Sequence, residues 1–87
     1  MSLKTNLPTL LSGRHRTHGS FKNTAQIAQD IKDLLDNHGA RECTAIQREA
    51  MDHMATKIAR ILSGKADHLE HWVDLAGYSM LGSGEAT

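Results

Sequence analysis

Apolar residues recur at helical spacing in three separate stretches of the chain. The first stretch runs from about Thr24 to Asn37. Its apolar positions fall on one face of an α-helix: Ile27, Ala28, Ile31, Leu34 and Leu35. We expect Asn23 or Thr24 to cap the start of this helix. Asn37-His38-Gly39 should end it, with Gly39 in the left-handed conformation.

The second stretch, from about Ala45 to Leu62, predicts a longer helix. Thr44-Ala45-Ile46-Gln47 is typical of a capping box, in which the Thr44 hydroxyl and the Gln47 side chain each satisfy one free backbone N–H. Ser63-Gly64 is expected to end the helix. Its predicted apolar stripe comprises Ile46, Ala50, Met54, Ile58 and Ile61, with Leu62 beside them.

The third stretch, from about His68 to Leu81, predicts a helix with a second capping box at Asp67-His68-Leu69-Glu70. Gly77 lies in the middle of this helix, which indicates a close helix crossing, because glycine there costs roughly 1 kcal/mol relative to alanine. The predicted buried stripe comprises Leu69, Trp72, Val73, Ala76 and Met80. Trp72 is expected in the core or at a subunit interface.

These patterns predict an all-α fold, a three-helix antiparallel bundle with an N-terminal arm. The arm is assigned to residues 1–22, the helical domain to 23–82 and a flexible tail to 83–87. A chain of this length buries only about two thirds of the surface that its unfolded form exposes. Aromatic residues make up only 3% of it. We therefore expect a second subunit to complete the core in a homo-oligomer.

Composition narrows the function classes. The formal net charge is zero and the pI is about 7.0, so the chain has no overall excess of positive charge that would attract nucleic acid. No apolar run approaches the ~20 residues of a membrane span. The single cysteine, Cys43, excludes an internal disulfide and is typical of a reducing compartment. Because no secretory signal precedes the helices, we expect a cytoplasmic protein.

Acidic residues on the second and third helices are the first candidates for chemistry. Glu49 and Asp52 are three residues apart, so both carboxylates project from one helix face. If the third helix packs antiparallel to the second, Asp74 could join them in an oxygen-rich site for Mg²⁺. Lys57 and Arg60 could then hold phosphate groups. The alternative is that such a carboxylate pair simply forms a solvated face.

Other polar residues give weaker signals. His71 and Tyr78 lie near Asp74 on the third helix and are candidates for substrate binding. Two pairs of histidines have a spacing at which both side chains can bind one metal ion: His68-x-x-His71 and His15-x-x-His18. Because zinc needs three or four ligands, the alternative is that these histidines are simply exposed to solvent. The arm segment 14–18 is basic and could hold an anion. Cys43 has no neighbouring residues typical of a catalytic nucleophile.

Two motifs resemble a known family. Arg16-Thr17-His18-Gly19-Ser20-Phe21 precedes the first helix, and His71-Trp72-Val73-Asp74-Leu75-Ala76-Gly77-Tyr78 lies in the third. With the Lys57-x-x-Arg60 spacing, they are similar to a family of small all-α proteins of tailed phages and prophages, which carry a Trp-x-Asp-x-x-Gly-Tyr motif. The resemblance covers residues 14–81 and implies a phage protein in a host cell, without implying a reaction.

A more remote resemblance is to the MazG-like nucleoside triphosphate pyrophosphohydrolases, all-α enzymes that bind Mg²⁺ and a nucleotide. Those enzymes carry Glu-x-x-Glu on one helix and Glu-x-x-Asp followed by a tyrosine on the next. The resemblance implies that Glu49, Asp52 and Asp74 hold the metal and serve catalysis, with Tyr78 at the matching offset. His71 stands where a fourth carboxylate is expected, which leaves catalysis open.

Three functions therefore stay open at this point. A Mg²⁺-dependent enzyme would hydrolyse a nucleoside triphosphate to the monophosphate and pyrophosphate. A non-enzymatic phage accessory protein would bind and inhibit a host protein through an exposed apolar patch. A nucleotide-sequestering protein would bind its ligand without turnover.

Overall fold

The computed structural model describes residues 19–85, and in them the fold is all-α. Helix α1 spans Phe21–Asn37, a 3-10 turn spans Ala40–Glu42, α2 spans Ala45–Ser63 and α3 spans Leu69–Ser83. The predicted three-helix bundle is confirmed. Most of the predicted arm, including the basic segment 14–18 and Leu3 to Leu11, lies outside the described residues. No helix among the described residues is long and apolar enough to cross a bilayer.

The start of α1 differs from the prediction. Ser20 rather than Asn23 or Thr24 caps the helix, and its hydroxyl oxygen accepts a hydrogen bond from the Asn23 N–H at 3.1 Å. The helix therefore includes Phe21, although the apolar pattern becomes regular only after it. Gly39 adopts the predicted left-handed conformation, with φ of 99°.

The capping box of α2 is confirmed in both directions. The Gln47 N–H donates to the Thr44 hydroxyl at 3.1 Å, and the Thr44 N–H donates to the Gln47 side chain at 2.9 Å. The capping box predicted for α3 is wrong, because its N-cap is His68, which makes no side-chain capping bond. The helix also continues through Ser83 to a left-handed Gly84, so the predicted tail begins too early.

Helix α2 is the centre of the bundle, and both neighbouring helices run antiparallel to it. On the α1 side, the Asn23 side-chain amide donates to the Ser63 hydroxyl at 3.0 Å, at the start of α1 and the end of α2. On the α3 side, Lys57 pairs with Asp74 at 2.8 Å. At 100° per residue, the α2 residues that meet α1 and those that meet α3 lie on nearly opposite faces of the helix.

The core of the described chain is made of small side chains. Its fully buried apolar residues are five alanines and Ile61: Ala28, Ala40, Ala50, Ala55 and Ala59. The face predicted for α1 is buried or half-buried except for Leu34, which is 58% exposed. In α2, the predicted stripe is wrong at Ile46, Ile58 and Leu62, all exposed. Because α2 packs on two sides, Ala55 and Ala59 are buried instead.

The prediction that the apolar stripe of α3 is buried is wrong. Leu69, Trp72, Val73, Ala76 and Met80 are all exposed, the four large side chains by 50–70%. Helix α3 instead packs on α2 through a face centred about 180° away, whose members are buried or half-buried: His71, Asp74, Leu75, Tyr78 and Gly82. We call these five exposed residues, together with the exposed Gly77, the α3 apolar face.

The close helix crossing lies at Gly82 rather than at Gly77. A Cβ atom on Gly82 would lie 3.0 Å from the Cβ of Ala50, whereas one on Gly77 would meet nothing within 4 Å. Gly77 belongs to the α3 apolar face, so the bundle itself gives no packing reason for a glycine there. Two small residues, Ala50 and Gly82, let α2 and α3 approach each other closely.

Replacing Gly19 by alanine should destabilise the fold. Gly19 has φ of 76°, and a Cβ there would lie 2.2 Å from the backbone carbonyl oxygen of Ser63. Because a backbone atom cannot move aside cheaply, Gly19→Ala should reduce the free energy of unfolding by about 1–3 kcal/mol more than the left-handed conformation alone costs. Urea unfolding at fixed protein concentration measures this difference.

Gly39→Ala is the matched control for this prediction. Gly39 is also left-handed, with φ of 99°, but a Cβ on it would meet nothing within 4 Å. Both variants carry the same conformational cost, and only Gly19→Ala adds the steric one. Equal losses of stability in the two variants would contradict the close packing of Gly19 on the end of α2.

Candidate functional site

An ion pair joins the two helices that carry most of the candidate residues. The Lys57 ammonium lies 2.8 Å from a carboxylate oxygen of Asp74, with the Lys57 side chain only 14% exposed and that of Asp74 45% exposed. Both residues project from the facing sides of α2 and α3, as the antiparallel arrangement predicts. The structure thus brings one predicted phosphate-binding residue onto one predicted metal ligand.

Further basic groups surround Asp74. The hydrogen bond from Lys57 lowers the pKa of the Asp74 carboxyl below its ordinary value, although burial acts in the opposite direction. His71 and Arg60 also favour the ionised form of Asp74 electrostatically. Asp74 therefore pairs with Lys57 and lies close to two further basic residues, and we call Lys57, Arg60, His71 and Asp74 the basic cluster.

His71 is the most deeply buried large side chain of the described residues. It is 2% exposed, and its ring meets the ring of His68 edge-on, with centroids 4.7 Å apart. A position where the remote resemblance expects a metal-binding carboxylate therefore holds an imidazole inside the α2–α3 interface. His71 here has a packing role that its sequence position alone does not reveal.

Tyr78 lies about two turns beyond His71 along α3, beside a different set of residues. Its ring stacks on that of His53 with centroids 4.5 Å apart and an angle of 5° between the planes. His53 also contacts Glu49, whose carboxylate lies 3.0 Å from His53 Nε2. These three residues line an open groove of about 470 Å³ together with Ala45, Ile46, Ala50 and Leu81.

Asp52 belongs to the other side of α2. Its carboxylate accepts a hydrogen bond from Arg48 Nε at 2.9 Å, and the same guanidinium also pairs with Asp36 of α1. These bonds, first to Asp36 and then to Asp52, raise the pKa of Arg48 above its ordinary value. Asp52 therefore helps to join α2 to α1, away from the α3 side where Asp74 lies.

The residues do not fit the Mg²⁺ site that the remote resemblance implies. Glu49 pairs with His53, Asp52 with Arg48 and Asp74 with Lys57, so each carboxylate has a different basic neighbour. Across residues 19–85, no three His, Cys, Asp or Glu side chains gather closely enough to hold a metal ion. Mg²⁺ prefers several oxygen ligands around one point, and this arrangement separates them.

Two residues that the sequence analysis did not single out are central to these contacts. His53 joins Glu49 to Tyr78, and Arg48 joins Asp52 to Asp36. Both lie four residues from a carboxylate on α2, a spacing at which oppositely charged side chains meet on a helix. That spacing was the available signal. The contact with Tyr78 and the contact with Asp36 depend on the packing of the helices.

Trp72 contacts the connection between α2 and α3 rather than the core. Its indole N–H donates to the backbone carbonyl of Ala66 at 2.8 Å, while the side chain as a whole remains 52% exposed. The bond fixes the ring on the outer side of α3. Cys43, half-buried just before α2, lines a separate cleft of about 380 Å³ between α1 and the 3-10 turn.

Comparison of the chain with protein-family models, with curated proteins and with solved structures found no match.

Asp74→Asn should destabilise the protein at neutral pH, because it leaves the poorly exposed Lys57 ammonium without its counter-ion. The lowered pKa sets the pH dependence. The ion pair stabilises the fold above about pH 4, and this contribution is lost as the pH falls through the folded-state pKa. Urea unfolding across this range should show wild type and variant converging at low pH.

Glu70→Gln is the control for that experiment. Glu70 is 85% exposed and its nearest basic group, His68, lies 3.8 Å away. Removal of this charge should change the free energy of unfolding by no more than about 0.5 kcal/mol. If Asp74→Asn behaves like Glu70→Gln at every pH, the Lys57–Asp74 pair does not stabilise the α2–α3 interface.

Proposed function

We propose that the chain is a non-enzymatic binding protein that docks the α3 apolar face onto another protein. One observation carries this proposal: Leu69, Trp72, Val73 and Met80 are 50–70% exposed along a single helix. Large apolar patches of this kind on a small domain mark interaction surfaces. The small size of the alanine-lined core supports the same conclusion, since association would bury the apolar area that the bundle leaves in water.

The positions of the carboxylates favour binding over hydrolysis. Glu49, Asp52 and Asp74 each contact a different basic side chain, so freeing them for a metal would break three separate pairs. Together with the resemblance to small phage proteins, this supports an accessory protein in the host cytoplasm. Its targets would be a second copy of the chain, a host protein, or both in turn.

A second candidate function rests on the basic cluster. Lys57 pairs with Asp74, and Arg60 and His71 act on the same carboxylate electrostatically, so several basic side chains lie around one acidic group. A phosphate group could compete for the Lys57 and Arg60 donors, since charged nitrogen donors bind phosphate oxygens strongly. This candidate is a nucleotide-binding protein that sequesters its ligand, and no hydrolytic step through Mg²⁺ is part of it.

The main proposal predicts that Val73→Ser weakens assembly. Sedimentation velocity of fluorescently labelled protein, alone at rising concentration and in host-cell extract, measures the assemblies that form. Val73 is 59% exposed, so its replacement should change the stability of the isolated bundle by no more than about 0.5 kcal/mol. If Val73 is an anchor of the interface, its replacement should weaken association by about fivefold or more, because a loss above about 1 kcal/mol is typical of such residues.

Leu34→Ser is the matched control, because Leu34 is 58% exposed but lies on α1. It removes a comparable exposed apolar side chain without touching the α3 apolar face. Equal effects of the two substitutions on assembly, or sedimentation of the wild type as a monomer in every condition, would contradict a docking role for α3.

The second candidate predicts thermal stabilisation by nucleotides. Mono-, di- and triphosphates should raise the melting temperature, and a ligand at 100 times its dissociation constant adds about 2.7 kcal/mol. The increase should persist when Mg²⁺ is chelated and should be lost in Lys57→Ala and Arg60→Ala. Lys65→Ala, on the connection after α2, controls for a general loss of positive charge. Absence of stabilisation by any nucleotide would exclude this candidate.

A further inference from the structure

We propose that the α3 apolar face binds a second copy of the same face, with the two α3 helices antiparallel about a twofold axis that passes between Ala76 and Gly77. This inference rests on the proposed docking function and names its partner. It commits to a self-complementary interface, in which each contact occurs twice. Three features of the α3 apolar face favour this arrangement: the sizes of its side chains, the charges beside it and the extent of the apolar surface around it.

The sizes of the side chains match in this register. Ala76 of one copy lies opposite Gly77 of the other, so the two smallest residues of the face meet at the crossing and the backbones can approach closely. Gly77 has open space where a Cβ would be, and both residues are exposed in the single chain. On either side of the crossing, Val73 lies opposite Met80 of the other copy.

The register thus places apolar residues against apolar residues along most of the helix. It also explains Gly77, a helix-interior glycine for which the isolated bundle shows no packing requirement. Glycine in that position is less favourable for a helix than alanine, and close approach of a second helix would offset this cost.

The charges favour the antiparallel orientation over the parallel one. The two acidic residues of α3, Glu70 and Asp74, lie in its first half, and its second half carries no charge. Parallel helices would place Glu70 against Glu70 of the other copy, whereas antiparallel helices place it opposite Ser83. Beyond the helix, Glu85 lies opposite His68. Antiparallel helix dipoles also attract each other, and the zero formal net charge of the chain adds no repulsion between copies.

The surface extends beyond α3. A helix of 15 residues is about 22 Å long, and a stable interface buries about 800 Å² on each side, which usually needs more than one helix. The register of the Lys57–Asp74 pair brings Leu62 of α2 level with Leu69 along the helix pair. Leu62 and Ile58 are exposed by 66% and 37%, so the edge of α2 enlarges the apolar surface next to the first half of α3.

Disulfide mapping of the full-length protein tests this arrangement. In a Cys43→Ser background, Ala76→Cys lies beside the proposed axis, and Glu70→Cys lies more than one helical turn from it. Under mild oxidation, the antiparallel dimer should cross-link Ala76→Cys at least about tenfold faster than Leu34→Cys on α1, because the interface raises the effective concentration of the two thiols. Glu70→Cys should react no faster than Leu34→Cys.

A second experiment guards against the chance that a cysteine at the crossing blocks association. A mixture of Val73→Cys and Met80→Cys proteins, of which one carries an affinity tag, should form mixed disulfides faster than either protein forms its own. Rapid cross-linking of Glu70→Cys would overturn the antiparallel register in favour of a parallel one. Equally slow cross-linking of all variants would overturn self-association. In that case, docking on a foreign protein would still be decided by the Val73→Ser comparison in host-cell extract.

Discussion

The ion pair between Lys57 and Asp74 is the contact that determines how α3 packs on α2. With the stacking of Tyr78 on His53 and the close approach of Gly82 to Ala50, it turns the polar side of α3 towards the bundle. A helix cannot bury two opposite faces against one neighbour. The α3 apolar face consequently remains in water, which is unfavourable for a single chain because apolar surface is stabilised by removal from water.

The same packing separates the groups that could have formed a catalytic site. Asp74 is held on the α3 side of α2 by Lys57, and Asp52 on the α1 side by Arg48, which also reaches Asp36. Carboxylates that stabilise helix packing through basic partners are not free to converge on a metal. Asp52 and Asp74 therefore stabilise the packing of α2 on its two neighbours, and the property left to explain is the exposed apolar surface of α3.

Local sequence signals predicted the helices well and the packing less well. Thr44 and Gln47 formed their capping box because both partners lie within four residues, so the chain itself contains the whole interaction. The choice of face for α3 could not be predicted in this way. Periodicity identified Leu69, Trp72, Val73, Ala76 and Met80 as one surface, but the assumption that an apolar surface faces the core of its own chain failed.

Sequence signals also predicted the candidate site only in part. The sequence analysis expected an antiparallel α2–α3 pair, and in the structure this pairing brings Lys57 onto Asp74, with Arg60 and His71 nearby. Separation of Glu49 from Asp52 was not foreseen, because two residues spaced by three can still turn to different neighbouring helices. The contacts that decide the outcome, from His53 to Tyr78 and from Arg48 to Asp36, join residues distant in sequence.

The most direct measurement of the central claim is the solvent accessibility of Trp72, the only tryptophan of the chain, as a function of protein concentration. The exposed α3 apolar face predicts that dilute protein shows red-shifted emission and efficient acrylamide quenching. Both should decrease as concentration rises and the face becomes covered. The contrary result is blue-shifted, poorly quenched emission that stays constant down to the lowest concentration at which the protein is folded and monomeric. It would mean that α3 turns this face inward, which would contradict the account.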